Sequence, residues 1–510
     1  MTSIPIVSRL PRFTQVDRVR LLTITWFRRC PNRPCWQEIV HNPACLPTFV
    51  RESPVAMRYL QMLAPLDWDG FPERDLHHYR AIPPVPYTPF TAACLIKLDQ
   101  GLAYVSRLRD YLVDHPPLIW LLGFPLVPSR QFSWGFDPDA SLPTARHFTR
   151  MLREIPNPCL QFLLDDTVCL LQAEFASEGI VLGESISLDT KHIIAWVQEN
   201  NAKAYVKEGR YDKTKQPKGD PDCRLGCKRR TNQAKGKQDV ESLPTPTSNP
   251  VSAKKARVGE FYWGYGSGIV ATKVPGWGEF VLAEMTQPFD QSDVSYFKPL
   301  MAETERRLGR RPRFGAFDAA FDAFYVYEYF HQEGGNWTTG FAAVPFVRRG
   351  GQRQRSFSDD GLPLCSAGLP MPQRYTFWCK TTLIPHERAR YVCPLRYPEP
   401  TGDSCPVQHK KWVKNGCATT MATSPGARIR YEIDRDSELY KQVYKQRTAS
   451  ERVNSQATEL GIERPKLRNG QAIANENTLI YVLINLRGLH RVRQRKAGRA
   501  TPRETSAPES

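Results

Sequence analysis

Two short stretches, far apart in the chain, share one design. In Ser185-Ile186-Ser187-Leu188-Asp189 and in Phe314-Gly315-Ala316-Phe317-Asp318, apolar and small residues run into an acid. The pattern predicts two short strands, each closed by a carboxylate. An acid at a strand end packs poorly and is well placed for chemistry. A third acid, Glu451, lies in Arg447-Thr448-Ala449-Ser450-Glu451-Arg452-Val453-Asn454-Ser455, which reads as helix. Two strands and a helix that carry acids from distant parts of the chain point to an α/β fold with one acidic centre.

The residues around the second strand fill in the order of elements. Residues 261–265 and 280–283 read as paired strands around the turn Pro275-Gly276-Trp277-Gly278. Residues 294–308 read as helix, 313–318 as strand, 320–330 as helix and 337–346 as strand. Antiparallel strands come first and parallel crossovers follow, the order expected of a ribonuclease H-like core.

The last helix carries the most geometric information. Tyr440, Tyr444, Arg447, Glu451 and Asn454 step by four, three, four and three residues. At about 100° per residue they share one narrow face. That face is polar and aromatic, unlike a core face of Leu and Val or a solvated face of Lys and Glu, and is expected to meet substrate.

Leu188-Asp189-Thr190, Phe317-Asp318-Ala319-Ala320-Phe321-Asp322 and the 447–455 run, in this order and at these wide spacings, resemble the DDE transposases of bacterial insertion sequences. The resemblance covers roughly residues 84–490. Tyr444-x2-Arg447-x3-Glu451 matches a signature of one branch of that family. The lysine that branch carries seven residues after the glutamate is replaced by Thr458, with Lys466 or Arg468 as substitutes. The resemblance implies a DNA transposase that cleaves transposon ends by two-metal phosphoryl transfer and joins the freed 3′-OH to target DNA. Asp189, Asp318 and Glu451 would be both catalytic residues and metal ligands. Oxygen ligands of this kind suit Mg²⁺ or Mn²⁺, and two ions about 3.5–4 Å apart activate the attacking oxygen and stabilise the leaving one. Asp322 is the runner-up for the second acid. Arg447 would hold a phosphate, Tyr444 would stack on a base, and the working form would be a homodimer on DNA.

The flanks divide the chain into an N-terminal segment (1–83), a helical DNA-binding domain (84–180), a catalytic domain (181–490) and a basic disordered tail (491–510). Residues 13–29 have a partial apolar stripe and predict a helix. Residues 83–89 read as a Pro-rich connector, and 92–113 as one helix. Ser141-Leu142-Pro143-Thr144 starts another helix, whose Arg146, His147, Arg150 and Arg153 lie on its surface, the first and third expected on DNA phosphates. Residues 200–258 hold 15 Lys/Arg against 6 Asp/Glu, which marks a basic insertion. A second insertion, 347–432, carries Cys365, Cys379, Cys393, Cys405, His409 and Cys417. It is either zinc-stabilised or a β-rich insertion without metal, and the lack of tight Cys pairs favours the latter. Residues 478–489 read as a further helix, with a disordered basic tail from Arg487.

Lys+Arg 70 against Asp+Glu 52 leaves a net charge of +18, which favours a polyanionic partner such as DNA. No stretch reaches the roughly 18–20 apolar residues of a membrane helix, and the N-terminus lacks a signal-peptide core. A cytoplasmic location with no membrane partner is expected, with most of the thirteen cysteines reduced and buried. Three other readings compete: an inactive or co-opted DNA-binding protein of the same fold, a metal-dependent nuclease without strand transfer, and a carboxylate-pair glycosidase. The last explains the basic charge badly.

Overall fold

The computed structural model describes residues 36–75, 84–201, 212–229, 259–331, 340–345, 355–380 and 383–500. The expected 13–29 helix and most of the 200–258 insertion lie outside the described residues.

A mixed sheet organises the chain. Its strands are β1 (Ser185–Ile194), β2 (Arg224–Arg229), β3 (Gly259–Val274), β4 (Gly278–Pro288), β5 (Phe314–Ala316) and β6 (Phe341–Ala343). The 16-residue β3 is long enough to pair with three partners, all antiparallel: β1 along one edge, β2 and β4 along the other. β5 and β6 extend the sheet beyond β1 in parallel. The order across the sheet is therefore β4-β3-β1-β5-β6, with β2 sharing with β4 the edge of β3 away from β1. Antiparallel pairing gives way to parallel pairing at β1, the strand that carries Asp189.

Twelve helices of seven or more residues surround this sheet among the described residues: α1 (Pro54–Leu63), α2 (Tyr87–Asp99), α3 (Val105–Asp114), α4 (Pro116–Leu122), α5 (Ala145–Glu154), α6 (Asn157–Ala176), α7 (Phe297–Leu308), α8 (Phe324–Phe330), α9 (Gly426–Glu432), α10 (Glu438–Tyr444), α11 (Thr448–Glu459) and α12 (Gly470–Ala500). The insertion that follows β6 forms its own antiparallel sheet of β7 (Gln373–Cys379), β8 (His386–Val392) and β9 (Ala418–Ala422), with β8 in the middle.

Helix α12 ties the layers together. It packs on α2, α5, α6 and β4, so nearly every residue from Ala472 to Leu486 is buried. A helix apolar on all sides belongs in an interior. Its buried polar residues are bonded in place: the Asn485 side chain donates to the Val281 carbonyl and accepts from the Val281 N–H, both at 2.8 Å. Val281 lies on edge strand β4, beside an irregularity in the β3 pairing. Asn485 thus satisfies backbone groups that the ladder leaves open. One continuous apolar cluster runs from Trp36 through the N-terminal helices to Trp263, Val453 and Tyr481.

Several expectations are corrected. β1 does not close at Asp189 but continues to Ile194, because its pairing with β3 persists through Gly264. The 92–113 stretch is two helices, broken where Gly101 takes φ +64°. The connector at 83–89 already contains the first turn of α2, where a proline such as Pro89 costs no backbone hydrogen bond. Residues 320–330 split into a short 3-10 turn, Ala319–Phe321, and α8. The strand expected over 337–346 is Phe341–Ala343 within its described part. The last acidic helix is three pieces: α10, the 3-10 turn Lys445–Arg447 and α11. The tail is helical to Ala500 rather than disordered from Arg487, held by Arg487 on Asp99 and Arg493 on Glu174. Of the eleven described cysteines, only four are buried.

Candidate functional site

The parallel register places two acids level. Ser187 pairs with Ala316, so Asp189 on β1 and Asp318, just past the end of β5 rather than on it as expected, each lie two residues further on. β5 stops at Ala316 while β1 continues, which opens a notch in the sheet beside Asp189. Past the end of β5, Asp318 caps the Ala319–Phe321 turn by accepting from the Ala320 N–H at 2.8 Å.

Helix α11 is docked across β1 by a matched pair of bonds. The Ser450 N–H, one of the orphan donors in the first turn of a helix, donates to the buried Ser187 hydroxyl at 3.0 Å. One helical turn later, the Asn454 amide donates to Asp189 Oδ2 at 3.0 Å. Four helical residues rise about 6 Å and two strand residues about 6.6 Å. The 450/454 spacing therefore matches the 187/189 spacing, and both strand residues face the helix because side chains alternate.

The opposite face of β1 brings a fourth acid, which the motifs do not mark. The Thr190 hydroxyl donates to Asp293 Oδ1 at 2.7 Å. Asp293 opens the short turn Asp293–Tyr296, and Tyr296 lies flat on β3, its hydroxyl donating to the Gly266 carbonyl at 2.8 Å. A Cβ at Gly268 would meet the Tyr296 ring at 2.3 Å. The glycines of β3 thus admit the tyrosine that positions Asp293. In sequence, Ser292-Asp293 reads only as an ordinary helix-start signal.

The electrostatics follow from this crowding. Burial, with Asp318 nearby, pushes the Asp189 carboxyl up to about 6, against the opposing pull of the Thr190 N–H, Asn454 and Arg447. Asp318 is also raised, by burial first and by Asp293, against the Ala320 N–H and Arg447. Acids held near one another resist ionisation unless a cation is present. Asn454 Oδ1 is buried beside Asp189 with no hydrogen-bond partner among the described residues. Together the oxygens of Asp189, Asp318 and Asn454 make a donor set whose chemistry suits a hard divalent cation. Among the described residues, no three His, Cys, Asp or Glu side chains already form a metal-binding group.

The third expected acid is placed differently. Glu451 pairs with Arg447 at 2.6 Å, and its side chain is 45% exposed. Arg447 reaches Asp189 and Asp318 electrostatically. Its guanidinium lies 5.9 Å from the centre of the half-buried Tyr444 ring. Tyr440 is not on a substrate face. It is buried between Phe341 and Tyr444, each 6.1 Å away and nearly parallel. The 3-10 turn at 445–447 interrupts the single face that an unbroken helix would have.

Other expected residues serve the fold. Asp322 is paired with Arg430 and accepts from the Tyr327 hydroxyl at 2.8 Å, which removes it as an alternative second acid. Thr458 bonds back to the Asn454 carbonyl within α11. Lys466 and Arg468 both lie over the Trp196 ring, beyond the end of β1. Arg146 and Arg150 are exposed on α5, whose first turn Thr144 caps. Arg150 bonds His147 and pairs with Glu154, and α5 packs on α2, α3 and α12 rather than on the acidic notch.

Among the described residues, no helix is long and apolar enough to cross a membrane. Compared with known protein families, curated proteins and solved structures, the chain finds no match; its mixed α/β architecture and its acidic notch are what its own residues establish.

Proposed function

We propose that the chain is a DDE-type DNA transposase with a ribonuclease H-like core, cleaving transposon-end DNA and joining it to target DNA. The observation that carries this reading is the level pair Asp189 and Asp318 at the antiparallel-to-parallel change of the sheet, with Asn454 and Arg447 delivered from the helical segment after the second insertion. The strand order β4-β3-β1-β5-β6 is the one expected of that core.

In this reading Asp189 and Asp318 hold Mg²⁺ or Mn²⁺, with Asn454 orienting Asp189. The bound metal would activate the attacking oxygen and stabilise the leaving one. Arg447 would trade Glu451 for a DNA phosphate, which frees the glutamate for the acidic centre. Such an exchange suits a guanidinium, which binds carboxylate and phosphate with the same fork. Tyr444, stacked on Tyr440 behind it, is braced to support a base. Arg146 and Arg150 add phosphate contacts distant from the notch and contribute affinity more than specificity. The net charge of +18 favours the same polyanion. A homodimer on paired ends and a cytoplasmic location complete the proposal.

One observation favours a second reading, an inactive DNA-binding protein of the same fold: Glu451 is engaged by Arg447 rather than turned to the other acids. Nicking of supercoiled plasmid in Mn²⁺, Mg²⁺ or EDTA separates the two. Metal-dependent nicking by the wild type, lost in Asp318→Asn and Glu451→Gln while DNA binding persists, supports the transposase. Binding without nicking in either metal, on plasmids carrying the element's ends, supports the second reading. Nicking that ends in cleavage without joining identifies a nuclease.

A further inference from the structure

The second insertion contains a cluster of thiols that the proposed reaction does not use. Strands β8 and β9 pair Val392 with Ala418, so the next residues outward, Cys393 and Cys417, stand directly opposite. Such neighbours have Cβ atoms about 4.5–5.5 Å apart. Cys393 and Cys365 both lie near enough to act electrostatically on Cys417. Three segments therefore deliver sulfur to one place: the end of β8, the start of β9, and the loop before β7.

The local backbone is shaped for this meeting. Gly416, at φ +74°, precedes Cys417, and a Cβ there would lie 2.6 Å from Cys393 Cβ and 3.1 Å from its Sγ. Only glycine lets the chain turn so close to the sulfur. Cys365 opens a tight turn closed by the Gly368 N–H on its carbonyl at 3.0 Å. Cys393 opens another, closed by Arg396 at 3.2 Å. The 393–417 loop contains no helix or strand. Among the described residues, the sheet beneath it has a core of six buried residues, with Cys365 and Cys417 packed at its margin. A loop of this length on so small a core lacks apolar burial of its own to hold it, which is where a structural metal contributes most.

We propose that Cys365, Cys393 and Cys417 bind one zinc ion that fastens the 393–417 loop to the insertion sheet. Soft sulfur ligands select zinc over the hard cations expected at the acidic notch. The fourth ligand comes from the loop itself, where Cys405 and His409 are the half-buried donors. The Lys411 N–H already donates to His409 Nδ1 at 3.2 Å, which leaves Nε2 as that ring's free position. The shell is not closed in this structure, so zinc draws Cys365 and the loop donor inward as the cysteine thiols that bind it lose their protons. The inference is independent of the transposase reading and survives its failure.

The test is metal analysis of the full chain, purified without chelators and then loaded with zinc and desalted. About one tightly held zinc per chain is expected, as for a four-coordinate structural site. A mercurial thiol reagent should release it. Cobalt in its place should give thiolate-to-metal charge-transfer bands, a signature that needs no variant to fold. Cys417→Ser and Cys365→Ser should each weaken zinc binding more than about 100-fold, whereas Cys169→Ser, at a remote exposed thiol, should leave it unchanged. A chain that holds no zinc after loading overturns the proposal. So does a Cys393–Cys417 disulfide recovered by mass spectrometry from protein kept reduced until quenching, or zinc retained undiminished in a folded Cys417→Ser variant.

Discussion

Asp318 and Asp322 stand four residues apart, on either end of one short turn, in opposite surroundings. Asp318 caps the turn, faces the notch beside Asp189 and is raised by burial and by Asp293. Asp322 is turned inward, with its side chain only 4% exposed, and is satisfied by Arg430 and Tyr327. One acid is held where its charge finds a neighbouring acid; the other is held where its charge finds a cation. The difference separates a group suited to a metal or a reaction from one that holds the fold together.

That contrast can be broken by substitution. Asp318→Asn should have the largest effect, reducing metal-dependent nicking to background while leaving the denaturation midpoint near that of wild type. A variant that nicks normally would remove the notch as the active centre. Asp322→Ala should do the reverse. It leaves Arg430 largely buried without its carboxylate and should destabilise the fold by about 3 kcal/mol, read as a lower midpoint in urea. If Asp322→Ala is as stable as wild type, the ion pair does not hold α9 to the turn.

Asn454→Ala sharpens the picture at the notch itself. It removes the amide that orients Asp189, and loss of such an outer partner weakens metal affinity by about 10–100-fold. A rise of that size in the Mn²⁺ concentration giving half-maximal nicking, partly restored in Asn454→Gln, which keeps an amide donor, would identify a positioning residue.

The smallest effect concerns a third acid, Glu284 on β4. It is buried and accepts from Thr478 and Gln161, and burial pushes it up to about 7 against the opposing pull of those bonds and of Arg307. A raised acid is disfavoured in its charged form by folding. Stability is therefore highest below the ordinary glutamate range and falls as pH rises from about 4 through about 7. Glu284→Gln should flatten that fall, measured as urea stability at pH 5 and pH 8. An unchanged pH slope would show that Glu284 stays paired when ionised.

How much of this was legible beforehand varies by element. The strands leading to Asp189 and Asp318 were visible because alternation over a few residues is a local signal, although the second ends at Ala316, short of its acid. The β3–β4 hairpin was visible because Pro275-Gly276 punctuates it. The break of the last helix at 445–447 was not, since every residue there tolerates a helix and the interruption comes with the packing of Tyr440 against Phe341. Helix α12 was half legible: its apolar centre showed, but its length depends on Asp99 and Glu174, contributed from hundreds of residues away. Asp293 could not be seen at all, because its place is set by Tyr296 lying on Gly266 and Gly268 of another strand.

By itself the sequence determined which residue types lie at strand ends, which stretches are apolar enough to be buried, and the surplus of positive charge. These are properties of short windows and of composition, and they survive any arrangement of the chain. Tertiary structure decided which acids meet. Asp189 and Asp318 come level only through the parallel register of β1 and β5, and Asn454 reaches Asp189 only because Ser187 holds the start of α11. Asp322 was taken out of the centre by Arg430, a residue 108 positions away. A carboxylate's role depends on the charges and donors within a few ångströms of it, and those neighbours are brought by the fold rather than by adjacent residues.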